Sequence, residues 1–101
     1  MREDEFQPEV IKELYKMFPD CFVMKNDANY RQGFPDLSVF IGPYYILLEC
    51  KKSKKEMRDP RPNQDYYVDA VNAMGGFARF IYPENKEAVL NEIRQTFGLG
   101  S

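Results

Sequence analysis

Two apolar, β-rich runs, Leu37–Ile41 and Tyr44–Cys50, are separated only by Gly42-Pro43. A gap that short joins neighbouring antiparallel strands and nothing else, because a parallel connection needs a dozen residues or more. For a two-residue loop the paired positions sum to about 85, which sets Asp36 across from Glu49 at the open end of the hairpin. A loop one residue longer would shift the partner by one position, preserving the closeness but not the face. The turn is the unusual part, since proline is awkward at the second loop position. Side chains alternate along a strand, so Glu49 and Lys51 project together while Cys50 points the opposite way, into the core.

The rest of the chain reads as helices and strands around this hairpin. Val10, Leu14, Met17 and Phe18 recur at helical spacing between Glu9 and Phe18, with Pro8 in the first turn and Pro19 as the stop. Cys21–Met24 reads as a short buried strand, and residues 25–33 as a polar loop. Ser53–Pro62 is charged, flanked by proline and expected to be a mobile loop. Asn63 can cap a helix running to Met74, with Tyr66, Tyr67, Ala70, Val71 and Met74 on its apolar side and Gly75-Gly76 as its end. Phe77–Tyr82 alternates as a fourth strand. Pro83 and Glu84 start a last helix, whose apolar stripe is Ala88, Val89, Ile93 and Phe97. The expected order is α-β-β-β-α-β-α, within one domain spanning residues 1–101.

Composition excludes several classes of function. The chain has no histidine and two cysteines, Cys21 and Cys50. That rules out histidine-based triads, a histidine general base and a zinc site of the Cys/His kind. Thiol chemistry is a poor reading, because both cysteines fall in strands expected to be buried. No apolar run is long enough to span a bilayer and residues 1–5 are no signal peptide, so a cytoplasmic protein without a membrane partner is expected. Net charge is −2, but its distribution is uneven. Residues 1–20 carry six acids against three bases, whereas residues 51–61 carry Lys51, Lys52, Lys54, Lys55, Arg58 and Arg61 against Glu56 and Asp59. An acidic cluster beside a basic segment suits a cation site next to a phosphate-binding surface; a solvated polar loop would have the same charges.

Two carboxylates at one end of a hairpin, with Lys51 beside them, are hard oxygen ligands suited to Mg²⁺ or its substitute Mn²⁺. The backbone carbonyl of Cys50 could add a ligand. A cation held there would polarise a phosphodiester and neutralise charge developing in the transition state. Taken singly, Glu-x-Lys is usually a solvated strand face with a weak ion pair, and Pro-Asp is a frequent loop dipeptide. Together, in this order at one hairpin mouth, they are far more specific.

Gly33-Phe34-Pro35-Asp36-Leu37, then Glu49-Cys50-Lys51, then Pro62–Tyr67 (PNQDYY) resemble the PD-(D/E)XK nuclease superfamily. The sequence is similar to the small stand-alone VRR-Nuc-type nucleases of phages and prophages, and to Holliday-junction resolvases. The resemblance implies a restriction-endonuclease-like α/β core, αβββαβ with a C-terminal helix, its mixed sheet flanked by helices. It implies that Asp36 and Glu49 bind metal and that Lys51 assists the attacking water. Gln64 matches a family glutamine near the active site, although an ordinary first-turn polar residue would look the same. The family often adds a glutamate from the first helix. Glu3 matches best, with Glu5 or Glu9 as alternatives; Pro8 makes a regular helix from residue 3 doubtful, and acids on such a surface are also common for solubility.

For substrate, Lys52, Lys54, Lys55, Arg58 and Arg61 follow the site directly and can grip phosphates. Lys25, Asn26, Tyr30, Arg31 and Gln32 precede it on a loop that could flank DNA. Phosphate contacts position a duplex without reading its sequence, and no base-reading element is visible. The expectation is a Mg²⁺-dependent, structure-selective DNA endonuclease cutting branched DNA such as Holliday junctions. It would act as a homodimer in a bacterial or phage-infected cytoplasm. The alternatives are a nuclease for single-stranded, nicked or flap DNA, and a nuclease-fold module that binds DNA without cutting it.

Overall fold

The apolar periodicity near the N-terminus becomes helix α1, Glu3–Met17, which buries Phe6, Val10 and Leu14 completely. A computed structural model describes the backbone of residues 3–58 and 62–99, and the side chains of residues 5–57 and 66–99. Pro8 lies inside α1, so the helix is regular from residue 3 where the sequence argued for a later start. The energetics explain the difference. An interior proline costs about 3 kcal/mol, whereas each fully buried large apolar side chain contributes about 1.5–3 kcal/mol. Three such residues on one face outweigh one lost hydrogen bond.

Four strands follow: β1 (Phe22–Lys25), β2 (Leu37–Ile41), β3 (Tyr44–Cys50) and β4 (Ala78–Ile81). They form one mixed sheet in the order β1-β2-β3-β4, antiparallel at the first two pairings and parallel between β3 and β4. Helix α2 (Pro62–Ala73) makes the crossover from β3 to β4, and α3 (Lys86–Thr96) closes the chain. The β2–β3 hairpin turns on Gly42-Pro43 with the anticipated register, Ile41 opposite Tyr44 and Leu37 opposite Leu48. Gly42 has φ +58°, and the ring of Pro43 holds its own φ near −65°. That pairing of signs is what a type II′ turn asks for, so proline at the second position suits this hairpin.

The two faces of the sheet are covered unequally. On one, α1 and α3 pack Phe6, Val10, Leu14, Leu90 and Ile93 against Leu37, Val39, Ile46, Leu48 and Cys50. On the other, α2 lays Val68 and Val71 on Leu47 and Ala78. Tyr66 and Met74, read from the sequence as part of the apolar side of α2, are 64% and 72% exposed. α2 is short and rests on the β3–β4 side, so only the Val68–Val71 stripe meets the sheet. Strand β1 is likewise not buried: it is the sheet edge, and Phe22 and Met24 face outward. In α3 the buried stripe is Val89, Leu90 and Ile93, with Ala88 exposed.

The segment after β3 is ordered by two carboxylates. Lys54–Arg58 forms a short 3-10 helix; Glu56 accepts the Lys52 N–H at 2.8 Å, and Glu84 accepts the Lys54 N–H at 3.3 Å. The sequence predicts a loop over residues 53–62; residues 54–58 form this helical turn instead, and residues 59–61 lie outside the described residues. Glu56, counted in the sequence only against the bases around it, thus satisfies a backbone donor of the turn. Among the described residues no helix is long and apolar enough to cross a membrane.

Candidate active site

Asp36 immediately precedes β2, and Glu49 and Lys51 stand at the end of β3, so the hairpin register brings the three together. Two backbone-to-carboxylate hydrogen bonds tie the start of β2 to the end of β3. The Asp36 N–H donates to Glu49 Oε1 at 3.1 Å, and the Cys50 N–H donates to Asp36 Oδ2 at 2.9 Å. Lys51 Nζ lies 3.6 Å from Glu49 Oε2 and 5.9 Å from the centre of the Phe80 ring. Glu49 and Lys51 are 1% and 6% exposed, far from the solvated face that the dipeptide pattern alone would suggest. The Lys51 N–H donates to the Ile81 carbonyl at 2.8 Å, which pins the end of β3 to β4.

Burying a carboxylate beside another carboxylate has an electrostatic cost. Desolvation first, then the charge and hydrogen bonding of Asp36, push the Glu49 carboxyl from its ordinary 4.5 up to about 8, against the opposing pull of Lys51. Glu49 Oε2 is also buried with no hydrogen-bond partner. Lys51 Nζ, 3.6 Å away, lies beyond hydrogen-bond reach of that oxygen, and a divalent cation between the two carboxylates would satisfy it. The donor set therefore fits a hard cation: the carboxylates of Asp36 and Glu49, with the Cys50 carbonyl between Glu49 and Lys51 along the chain. Among the described residues no group of three acidic, thiol or imidazole side chains assembles at one point.

The other candidates sit as follows. Cys50 turns its side chain into the core, fully buried, and Cys21 is buried too. Glu9 pairs with Lys86 of α3 at 3.3 Å, while Glu5 is exposed. Gln64 lies in the first turn of α2 and Glu3 opens α1, but the side chains of both, and of Arg58, fall outside the described residues. Arg61 lies outside them altogether. Lys52, Lys54 and Lys55 are exposed just beyond the site. Lys25 is exposed at the end of β1, and Arg31 reaches the Tyr67 hydroxyl at 3.3 Å.

Asn26 does more than its place in a polar loop suggested. Its N–H donates to the Asp36 carbonyl and its Nδ2 to the Pro35 carbonyl, both at 2.8 Å, and its side chain also bonds Ser38 Oγ at 2.9 Å. Asn26 thereby fixes the residue that carries the first carboxylate. Nothing in the sequence marks it, because the contact depends on a β1–β2 register that only the fold sets.

No model of a known protein family matches the sequence, and no curated protein sequence matches it closely. Among solved structures, one described as a VRR_NUC domain is similar with a TM-score of 0.70 at 21% sequence identity. The match covers 90% of this chain and 96% of that one, so it takes in the sheet and the helices on both faces. The chain has the fold of a VRR_NUC domain.

Proposed function

We propose that this protein is a divalent-metal-dependent DNA endonuclease that selects branched structures, four-way junctions among them. The observation that carries the reading is the buried Glu49 facing the half-buried Asp36, its Oε2 without a hydrogen bond and 3.6 Å from the Lys51 ammonium. Asp36, Glu49 and the Cys50 carbonyl would hold Mg²⁺, or Mn²⁺ in its place. When bound, the cation would withdraw charge from the scissile phosphodiester and acidify water. Glu49 must lose its proton for that role, and Lys51 favours the loss. The Lys51 ammonium would orient the attacking water or stabilise charge on the pentavalent phosphorus. Gln64 opens the helix after β3 and is assigned to the same site, with Glu3, or Glu5 or Glu9, as a further ligand.

Lys52, Lys54 and Lys55, with Arg58 and Arg61 beyond them, would bind the phosphates downstream of the cut, and Lys25 and Arg31 the other flank. None of these contacts reads bases, which supports selection by shape rather than by sequence. A homodimer, one site per strand, is supported by the sheet face that α2 leaves open. Phe22 pairs with Phe40 and Phe40 with Tyr45, a row of aromatic residues across three strands that are 70%, 44% and 43% exposed. We place the protein in a bacterial or phage-infected cytoplasm. A second reading, action on single-stranded, nicked or flap DNA, is favoured by one observation, the outward ring of Tyr30. A DNA-binding module without catalysis is disfavoured by the intact trio of Asp36, Glu49 and Lys51.

Cleavage of a fluorescent four-way junction with Mg²⁺ or Mn²⁺ tests the proposal, alongside duplex, single-stranded, nicked and flap substrates. Cutting concentrated at the junction and lost in Asp36→Ala and Lys51→Ala is expected. Equal cutting by the variants would sink the assignment, and equal cutting of every substrate would remove the structural preference.

A further inference from the structure

We infer that the loop from Asn26 to Phe34 is a stacking platform that takes an unpaired DNA base next to the carboxylate pair. The inference rests on the nuclease reading above and narrows its substrate to DNA with unpaired bases at or beside the branch. Tyr30 is 87% exposed near the tip of this loop, the most exposed large apolar side chain among the described residues. Beside it, Arg31 is steadied by the Tyr67 hydroxyl at 3.3 Å. The Tyr67 ring is in turn braced edge-on by Phe34 and by Tyr66, each at 5.2 Å between ring centres. A shallow cavity of about 220 Å³ opens here, lined by Asn26, Asp27, Tyr30, Arg31 and Phe34.

The lining decides what fits. A lone anion is disfavoured inside the cavity, since Asp27 offsets the charge of Arg31 in its lining. An apolar peptide is disfavoured as well, because three of the five lining residues are polar or charged. A nucleobase suits the lining: flat π-faces stack on tyrosine and on guanidinium planes, and an amino edge can donate to a carboxylate such as that of Asp27. The surrounding charge is complementary to the strand that carries the base. Exposed Lys25 lies just before the loop, and exposed Lys52, Lys54 and Lys55 follow the site.

The platform is also mechanically tied to the chemistry. Asn26 roots the loop on the Pro35 and Asp36 carbonyls, each at 2.8 Å. Turns within it, from Tyr30 and Arg31 back to Asp27 and from Phe34 back to Arg31, keep it folded. A base stacked on Tyr30 would therefore be held at a constant offset from Asp36.

Fluorescence anisotropy, with Ca²⁺ present to allow binding without cutting, tests the inference. The probes are a single-stranded oligonucleotide and a fully paired duplex of the same length. Tyr30→Ala is expected to weaken single-strand binding by about five- to a hundredfold and to leave duplex binding unchanged. Tyr30→Phe, which keeps the ring, is expected to bind as wild type. A fluorescent base analogue in the single strand is expected to be quenched by wild type and Tyr30→Phe but not by Tyr30→Ala. Equal losses on both probes, or no loss on either, overturns the platform. If wild type cuts DNA while Tyr30→Ala is indistinguishable from it, the platform falls and the nuclease stands. If wild type binds no DNA, both fall.

Discussion

At the scale of single residues, Glu49 has the most exacting position. It is buried, faces Asp36, and keeps a proton up to about pH 8, whereas an unfolded glutamate loses one near 4.5. Between those values the folded chain binds more protons than the unfolded one, so the stability of the metal-free protein falls as pH rises through this window. Thermal unfolding near pH 5 and near pH 8 checks this: wild type is expected to melt lower at the higher pH, and Glu49→Gln to lose the difference. The same proton must leave when a cation binds, so metal affinity is expected to rise with pH over the same window. In the proposed reaction Lys51 would act on that balance and on the attacking water. Lys51→Ala is expected to lower the cleavage rate by about 10²–10³-fold, measured in single turnover so that binding does not mask the chemistry.

At the scale of elements, the hairpin is what makes two distant carboxylates neighbours. Its register could be read from the two-residue gap, and so could the faces of Glu49, Lys51 and Cys50, because strand alternation leaves no other choice. What could not be read was how proline serves the turn, since that depends on the sign of φ at Gly42. Gly42→Ala forces a side chain onto a residue at φ +58°, and is expected to destabilise the fold by about 1–2 kcal/mol. A lower urea midpoint with cleavage per folded molecule unchanged would agree. Asn26 has the complementary effect. Asn26→Ala removes its side-chain bonds to Pro35 and Ser38, and is expected to cost about 1–3 kcal/mol. Because those bonds position Asp36, cleavage by the folded variant is expected to fall as well. Edge strand β1 was misread as buried for a plain reason. Phe22 and Met24 have core chemistry, and only the sheet order shows that α2 does not reach them.

At the scale of the whole molecule, the α-β-β-β-α-β-α order was legible because each apolar period changes at a proline, a glycine pair or a charged segment. The unequal cover of the two sheet faces was not, since it depends on how far α2 extends over β2 and β1. That open face leads to a prediction for the assembly. Sedimentation at micromolar concentration is expected to give a dimer for wild type and a monomer for Phe22→Asp combined with Phe40→Asp. A wild-type monomer would leave the aromatic row unexplained by self-association.

The central claim is that Asp36 and Glu49 hold a divalent cation beside Lys51. Calorimetric titration of the metal-free protein with Mn²⁺ near pH 8 tests it most directly. Saturable binding by wild type that is lost in both Asp36→Ala and Glu49→Ala is expected. Absence of binding by wild type, or the same isotherm in Glu49→Ala, would contradict it.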